Sequence, residues 1–135
     1  MAENGIDNKK RMSESIEKKK VSSIIASRVG PACKAYEDQV MKEEIKIEIC
    51  PQGTFSERIR AGGSGIGGFF TPTGAGTVVA ENKEARVIHG VDHIFEMPIK
   101  ADYSLIRAWK ADHNGNLLYR QSARNFNPIM ATASN

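Results

Sequence analysis

The chain is short of several things that would each have pointed to a function. Among its 135 residues there are two cysteines, Cys33 and Cys50. They lie far apart and form no CxxC pair, which excludes a disulfide framework and leaves two free thiols of a reducing compartment as the ordinary reading. No apolar run is long enough for a secretory signal or a membrane span. The sequence therefore reads as an intracellular protein without a membrane partner, in the cytoplasm or alternatively the mitochondrial matrix. Charge of one sign is also scarce, with 19 Lys+Arg against 16 Asp+Glu. Much of the excess sits in Lys9, Lys10, Arg11 and Lys18, Lys19, Lys20, the pattern of a solvated helix face. Zinc-finger spacing and RNA-binding signatures are missing, so nucleic acid is not an expected partner. GxSxG elbows, Cys–His arrangements and internal repeats are missing too, and no carboxylate stands out as a covalent nucleophile.

What is present is a 40% hydrophobic, 26% charged composition, ordinary for one globular domain over residues 1–135. A short solvent-facing helix is expected around Lys9 to Lys18. Val21 to Ser27 is β-branched and reads as a buried strand, followed by a turn at Gly30-Pro31. Ala32 to Lys42 has helical spacing, with Ala35, Tyr36, Val40 and Met41 as its inward face. Ile45 to Cys50 alternates as a strand, so the first 50 residues suggest a βαβ unit and a parallel sheet. Thr54-Phe55-Ser56-Glu57 fits a capping box opening a helix to about Ala61, with Gly62-Gly63 as its stop. From Glu84 onward Ala85–Ile88, Asp92–Glu96, Tyr103–Lys110 and Asn116–Arg120 read as strands. Asn114-Gly115 is a strong turn signal.

Four constellations bear on chemistry. The strand–Pro51-Gln52-Gly53–helix run places a helix N-terminus beyond the carboxyl end of a strand, where unpaired N–H groups and the Gln52 amide suit an oxyanion or carboxylate. From spacing alone a structural loop with a solvent-facing Gln52 is the favoured reading, since capping boxes are common. Gly63-Ser64-Gly65-Ile66-Gly67-Gly68 is a literal GxGxxG, but it lacks the preceding strand and following helix of a dinucleotide site. It belongs to a stretch, residues 62–76, holding seven glycines, which implies close backbone approach or positive backbone dihedrals. His89 and His93 are four apart in a strand-like region, with no cluster to complete a metal set, so no metal is expected. Ser122 to Pro128 groups Arg124, Asn125, Phe126 and Asn127, fit either for an anion or for a turn.

The run PQGTFSERIRAGGSGIGGFFTPTGAGT (51–77) closely resembles the A-type (alpha) chain of the 3-oxoacid CoA-transferase family. DYSLIRAWKAD (102–112), NGNLLYR (114–120) and SARNFNPIM (122–130) carry the likeness on, and NGID (4–7) and VSSIIASRVG (21–30) extend it upstream. The resemblance implies a three-layer α/β/α fold with a mostly parallel open sheet of the CoA-transferase type. It implies a hetero-oligomer of A-type and B-type chains in which a glutamate of the B-type chain, not a residue of this one, is the nucleophile. Acyl-CoA and a small carboxylic acid would be the substrates, with coenzyme A as substrate and no metal or redox cofactor. It implies substrate-binding roles for Gln52, Gly53, Gly62, Gly63, Phe69, Phe70, Thr71, Asn125 and Asn127. Glu3-Asn4-Gly5 resembles the motif that carries the B-type glutamate, but everything downstream matches an A-type chain. A-type chains of the family also begin with a glycine-rich segment and continue past NFNPIM. This chain is therefore expected to be partial and inactive without its B-type partner, or alternatively a fragment acting only as a binding or structural module. GIGGFF stands where relatives often have a GIPAFY-like run, so Gly68 and Phe70 are expected to bear on pocket shape and acid preference.

Overall fold

A computed structural model describes residues 14–28 and 34–134, without the side chains of residues 34–37. The chain divides into two compact units, Met1–Gln52 and Gly53–Asn135. Glu3, the NGID segment, the start of the Lys9–Lys18 helix, the Gly30-Pro31 turn, Cys33 and the side chains of Ala35 and Tyr36 lie outside the described residues.

In the first unit, residues 14–17 are helical. Strand β1 (Ser23–Ala26), helix α1 (Lys34–Met41) and strand β2 (Lys46–Ile49) follow. The two strands pair in parallel, from Ser23 opposite Lys46 to Ala26 opposite Ile49, which is the βαβ arrangement that the alternating pattern implied. Ile16, Val21, Ile24 and Ile45 form the buried cluster, with Ala26 and Ile47 packed against it. The inward face of α1 differs from expectation. Met41 is 84% exposed, and the polar Gln39 is buried instead. Gln39 tolerates burial because its Nε2 donates to the Ile16 carbonyl at 2.8 Å.

The helical segments at residues 14–17 and 34–41 end alike. Lys20 N–H donates to Ser15 O and Lys19 N–H to Ile16 O; Glu44 N–H donates to Gln39 O and Glu43 N–H to Val40 O. These are Schellman caps, whose C′ residue must be left-handed. Lys19 and Glu43 fill that place at φ 52° and 56°, a conformation glycine adopts without steric cost. The side chain at the first cap is used nonetheless: Lys19 Nζ reaches Glu44 Oε1 at 3.0 Å.

The second unit is built on helix α2 (Gln52–Gly63) and a three-stranded antiparallel sheet. Its strands β3 (Phe69–Thr71), β4 (Ala85–Ile88) and β5 (Val91–Glu96) lie in the order β3-β5-β4. Ile88 pairs with Val91 across a two-residue turn, His89-Gly90. Both turn residues have positive φ, 51° and 78°, as the tight hairpin turn requires. His89 is thus a turn residue, and His93 turns its Nδ1 to the Val91 carbonyl at 2.8 Å.

Helix α2 starts two residues earlier and ends two later than its sequence signals suggested. Thr54 lies inside the first turn, so no capping box forms. Glu57 pairs with Arg60 at 2.8 Å instead of reaching back. The helix runs through Gly62 and Gly63 and closes on a third Schellman cap, with Ile66 N–H on Ala61 O and Gly65 at φ 70°. Packing requires glycine at both positions: a side chain on Gly62 would strike the Ile99 carbonyl, and one on Gly63 the Thr132 carbonyl. Arg58 carbonyl also accepts from Ile99 N–H at 2.9 Å, so the segment after β5 is strapped along the helix.

Beyond residue 100 the expected strands are mostly absent. Only Lys110–Ala111 (β6) and Leu117–Leu118 (β7) form a ladder, and residues 103–108 belong to none. The alternation of SLIRAWK is real, but a strand needs a neighbour to pair with. Here Arg107 N–H goes to Asn127 Oδ1 and Trp109 N–H to Leu118 O, while Tyr103 and Leu105 are 87% and 85% exposed. A short helix, α3 (Asn127–Met130), ends the unit. The Asn114-Gly115 turn forms as expected. Asp112 caps it, accepting from Asn114 N–H at 3.0 Å, Asn116 N–H at 2.8 Å and Asn116 Nδ2 at 2.7 Å.

Replacing Glu43 by Gly is expected to stabilise the first unit by about 1 kcal/mol, the cost of a left-handed non-glycine residue, read as a raised thermal midpoint. A second expectation concerns acid. The Asn116 side chain, then its backbone N–H, holds the Asp112 carboxyl below its ordinary value. A depressed carboxyl favours folding above the unfolded aspartate value of about 3.9 and loses that contribution as pH falls through the folded value. The amide signals of Asn114 and Asn116 should therefore stay fixed above about pH 4 and move together below it.

Candidate functional site

The site-bearing part of the second unit begins with a buried charge. Glu96, at the end of β5, is 1% exposed. Lys83 Nζ meets its Oε1 at 2.7 Å, and Arg58 Nε lies 3.8 Å from its Oε2. Arg58 is itself buried and donates from Nε to the Met97 carbonyl at 2.8 Å. A buried carboxylate is tolerable only when paired and hydrogen-bonded in this way. The cluster joins α2, β5 and the segment leading into β4. Because Phe69 is the sheet partner of Glu96, it also fixes where β3 lies against the helix.

Between the first turn of α2 and β3 runs an open groove of about 430 Å³, lined by Gly53, Thr54, Ser56, Glu57, Phe69, Thr71 and Thr73. The N–H groups of a helix's first turn have no intrahelical partners, and its dipole is positive there. Ser56 Oγ donates to the Gly53 carbonyl at 2.8 Å, and Thr71 Oγ1 accepts from Thr73 N–H at 3.2 Å. No Lys, Arg or His lines the groove. Phe69 supplies an apolar wall.

Of the residues singled out from sequence, Gly53, Phe69 and Thr71 come together in this groove. Gln52 opens the helix and is exposed; it is not among the lining residues. Phe70, between two lining residues, faces away: its ring meets Phe95 edge-on at 5.1 Å, and the Arg86 guanidinium sits 4.9 Å from its centroid. Gly68 is forced by the same contact, since a side chain there would strike Phe95. Gly62 and Gly63 lie at the opposite end of α2, about 15 Å along the axis, where they admit neighbouring backbone. Asn127 is buried and ties Arg107 N–H to the Ala123 carbonyl through its side chain. Asn125 is exposed with φ 33°.

The sequence reading misses Thr54, Ser56, Glu57 and Thr73 as groove residues. The capping-box pattern absorbs Thr54 and Glu57. Strand alternation puts Phe69 and Thr71 on one face, but Thr73 lies in the turn after β3 and carries no such signal. Among the described residues no group of three or more His, Cys, Asp or Glu could hold a metal ion, and no helix is long and apolar enough to cross a membrane.

Residues 2–135 match the family model described as Coenzyme A transferase. The chain is 49% identical over 119 residues to the A-type chain of the succinyl-CoA:3-ketoacid coenzyme A transferase of Helicobacter pylori (strain J99 / ATCC 700824), covering 88% of this chain and 51% of that one. It is 45% identical over 115 residues to the alpha chain of the acetate CoA-transferase of Escherichia coli (strain K12), covering 85% and 52%. The chain thus spans about half the length of these relatives. A crystal structure of a variant of the decarboxylase AibA/AibB superposes with a TM-score of 0.74 at 17% identity, covering 98% of this chain and 53% of that one. That likeness establishes the α/β fold.

Glu96→Gln should destabilise the second unit by about 3–5 kcal/mol, because it removes the acidic partner of a buried ion cluster. The same substitution should shift the amide resonances of Phe69 and Thr71 in a nuclear magnetic resonance spectrum, while those of Ile24 and Ile47 stay in place.

Proposed function

The chain belongs to the coenzyme A transferase family, and we propose that it serves there as the A-type half of the enzyme, moving CoA between an acyl-CoA and a small carboxylic or 3-oxo acid together with a B-type partner. The observation that carries this reading is the groove itself. It includes Gly53 and Thr54 of the Pro51-Gln52-Gly53-Thr54 run, presents hydroxyl and helix N–H donors, and has a single carboxylate in its lining, Glu57, which is held by Arg60. The nucleophile is accordingly assigned to the partner.

The proposed reaction is a ping-pong exchange through that partner's glutamate. The carboxylate attacks the thioester carbonyl, expelling CoA thiolate and forming an acyl–glutamyl anhydride. The thiolate then attacks the glutamyl carbonyl, releasing the first acid and leaving a glutamyl-CoA thioester. A second acid reverses both steps. Each step passes through an oxyanion, and preorganised donors at that point supply the rate enhancement. Gln52, at the mouth of the positive helix end, is the residue we assign to the carbonyl or carboxylate oxygen. No metal or redox cofactor is required by this chemistry, and the cytoplasm supplies both substrates.

Mixing the chain with a B-type partner from the family should give CoA transfer from succinyl-CoA to acetoacetate or acetate, and the chain alone should give none. Gln52→Ala in that mixture should lower kcat/KM by about 100-fold, the typical cost of one oxyanion donor. Turnover by the isolated chain, or an unchanged Gln52→Ala mixture, would sink the assignment.

A further inference from the structure

We infer that Asn114 is a site of spontaneous modification: its side-chain amide is lost by attack of the Gly115 backbone nitrogen, and the isoaspartyl link that results unties the β6–β7 hairpin. The inference does not depend on the proposed function.

The chemistry is internal to the chain and needs only water. The Gly115 nitrogen, having given its proton to hydroxide, bonds to Asn114 Cγ. The Cγ–Nδ2 bond breaks, and the amide nitrogen leaves as ammonia after taking a proton from water. One water molecule then opens the succinimide ring. Cleavage between Cγ and the ring nitrogen gives aspartate. Cleavage at the main-chain carbonyl gives isoaspartate, in which the chain runs through Cβ and Cγ and a carboxylate branches from Cα. Over both steps one water is consumed and one ammonia released.

The attack needs a following residue without a Cβ, a side-chain amide that is not tied down, and a backbone nitrogen able to leave its hydrogen bond. Among the described residues Asn114 alone meets all three. Asn82, Asn116 and Asn125 precede Lys83, Leu117 and Phe126, each with a Cβ, and Asn127 precedes Pro128, which has no N–H. Asn116 Nδ2 is also held by Asp112 Oδ2 at 2.7 Å, and Asn127 Nδ2 by the Ala123 carbonyl at 2.9 Å. Asn114 is exposed, and its bond to Asp112 uses the backbone N–H, not the side-chain amide. Gly115, at φ 84°, has open space where a Cβ would stand. The other Asn-Gly pair, Asn4-Gly5, lies outside the described residues.

The restraint on the Gly115 nitrogen is weak. Its N–H donates to the Asp112 carbonyl at 3.3 Å, long for a hydrogen bond of this kind. The turn is closed by two paired residues on each strand, Lys110-Ala111 against Leu117-Leu118, and all four are exposed. A lone two-stranded hairpin is marginal in water, and an exposed ladder opens at small cost. Each opening frees the nitrogen. The isoaspartyl product cannot close in the same way. It carries one extra chain atom between residues 114 and 115, and a new carboxylate two residues from Asp112, whose own carboxylate organises the turn.

The test ages the full chain at mildly alkaline pH and follows each asparagine by peptide mass spectrometry. Methyl transfer by an isoaspartyl carboxyl methyltransferase distinguishes isoaspartate from aspartate. Asn114 should change from amide to acid and become methylatable, while Asn82, Asn116, Asn125 and Asn127 stay amides. In the aged protein the amide resonances of Trp109 and Leu118 should leave their folded positions, and those of Ile94 and Phe95 should keep theirs. Asp112→Ala, which removes the acceptor that organises the turn, should speed the conversion about fivefold or more, the worth of one ordinary hydrogen bond. Asn114→Gln, whose longer side chain disfavours ring closure, should show neither the modification nor the loss of the hairpin when aged in parallel. Asn114 left intact, any of the other four asparagines converting as fast, conversion no faster in Asp112→Ala, or isoaspartate that leaves the Trp109 and Leu118 resonances in place would each overturn the inference.

Discussion

The second unit depends on one acidic side chain held away from water between two basic ones. Glu96 cannot be buried alone, since an unpaired carboxylate in a protein interior costs several kcal/mol. It is tolerated because Lys83 and Arg58 converge on it from two different parts of the chain. That requirement fixes more than a local contact. Arg58 belongs to α2, Lys83 precedes β4, and Glu96 stands opposite Phe69 on β3. Satisfying one charge therefore sets the helix against two strands at once. The crowded glycine contact at Ile99 keeps the far end of the same helix close to the chain that leaves β5.

The groove is a by-product of that arrangement. Its floor is a helix turn with unpaired N–H groups, and its wall is a strand whose position is dictated by the charge beneath it. None of the lining residues is needed for the buried cluster, so the fold supplies the geometry and the lining supplies the chemistry. This division lets the groove residues vary without disturbing the ion cluster.

Much of this was legible in the sequence where local rules and tertiary demands agree. The parallel pair β1–β2, the strands at 85–88 and 92–96 and the Asn114-Gly115 turn follow from alternation and turn chemistry, and the structure has all three; the His89-Gly90 turn that joins the two strands into a hairpin was not read. The reading failed where a local signal was outvoted by packing. Gly62-Gly63 looked like a helix stop, but the helix passes through both, and the glycines are there because only glycine fits beside the Ile99 and Thr132 carbonyls. Thr54 and Glu57 looked like a cap, but the helix had already begun at Gln52. The SLIRAWK alternation announced a strand, yet periodicity within a segment cannot say whether a neighbour exists to pair with it. Glu96 was invisible for a related reason: a glutamate at the end of a strand reads as solvent-facing unless its two cations, 13 and 38 positions away, are known to meet it.

Strand β3 is only three residues long, and its side chains alternate between two duties. Phe69 and Thr71 face the groove, while Phe70 is gripped between Phe95 and Arg86 on the other side. Sliding the strand by one residue would exchange these faces completely, so the middle ring works as a detent that permits only one position. For evolution this separates two kinds of change. Substitutions at 69 and 71 can explore new ligands while the detent holds, and a substitution at 70 would be felt first as a loss of alignment. The shortest strand of the sheet can then be the most adaptable part of the molecule, because the residue that anchors it is not one of those that would touch a ligand.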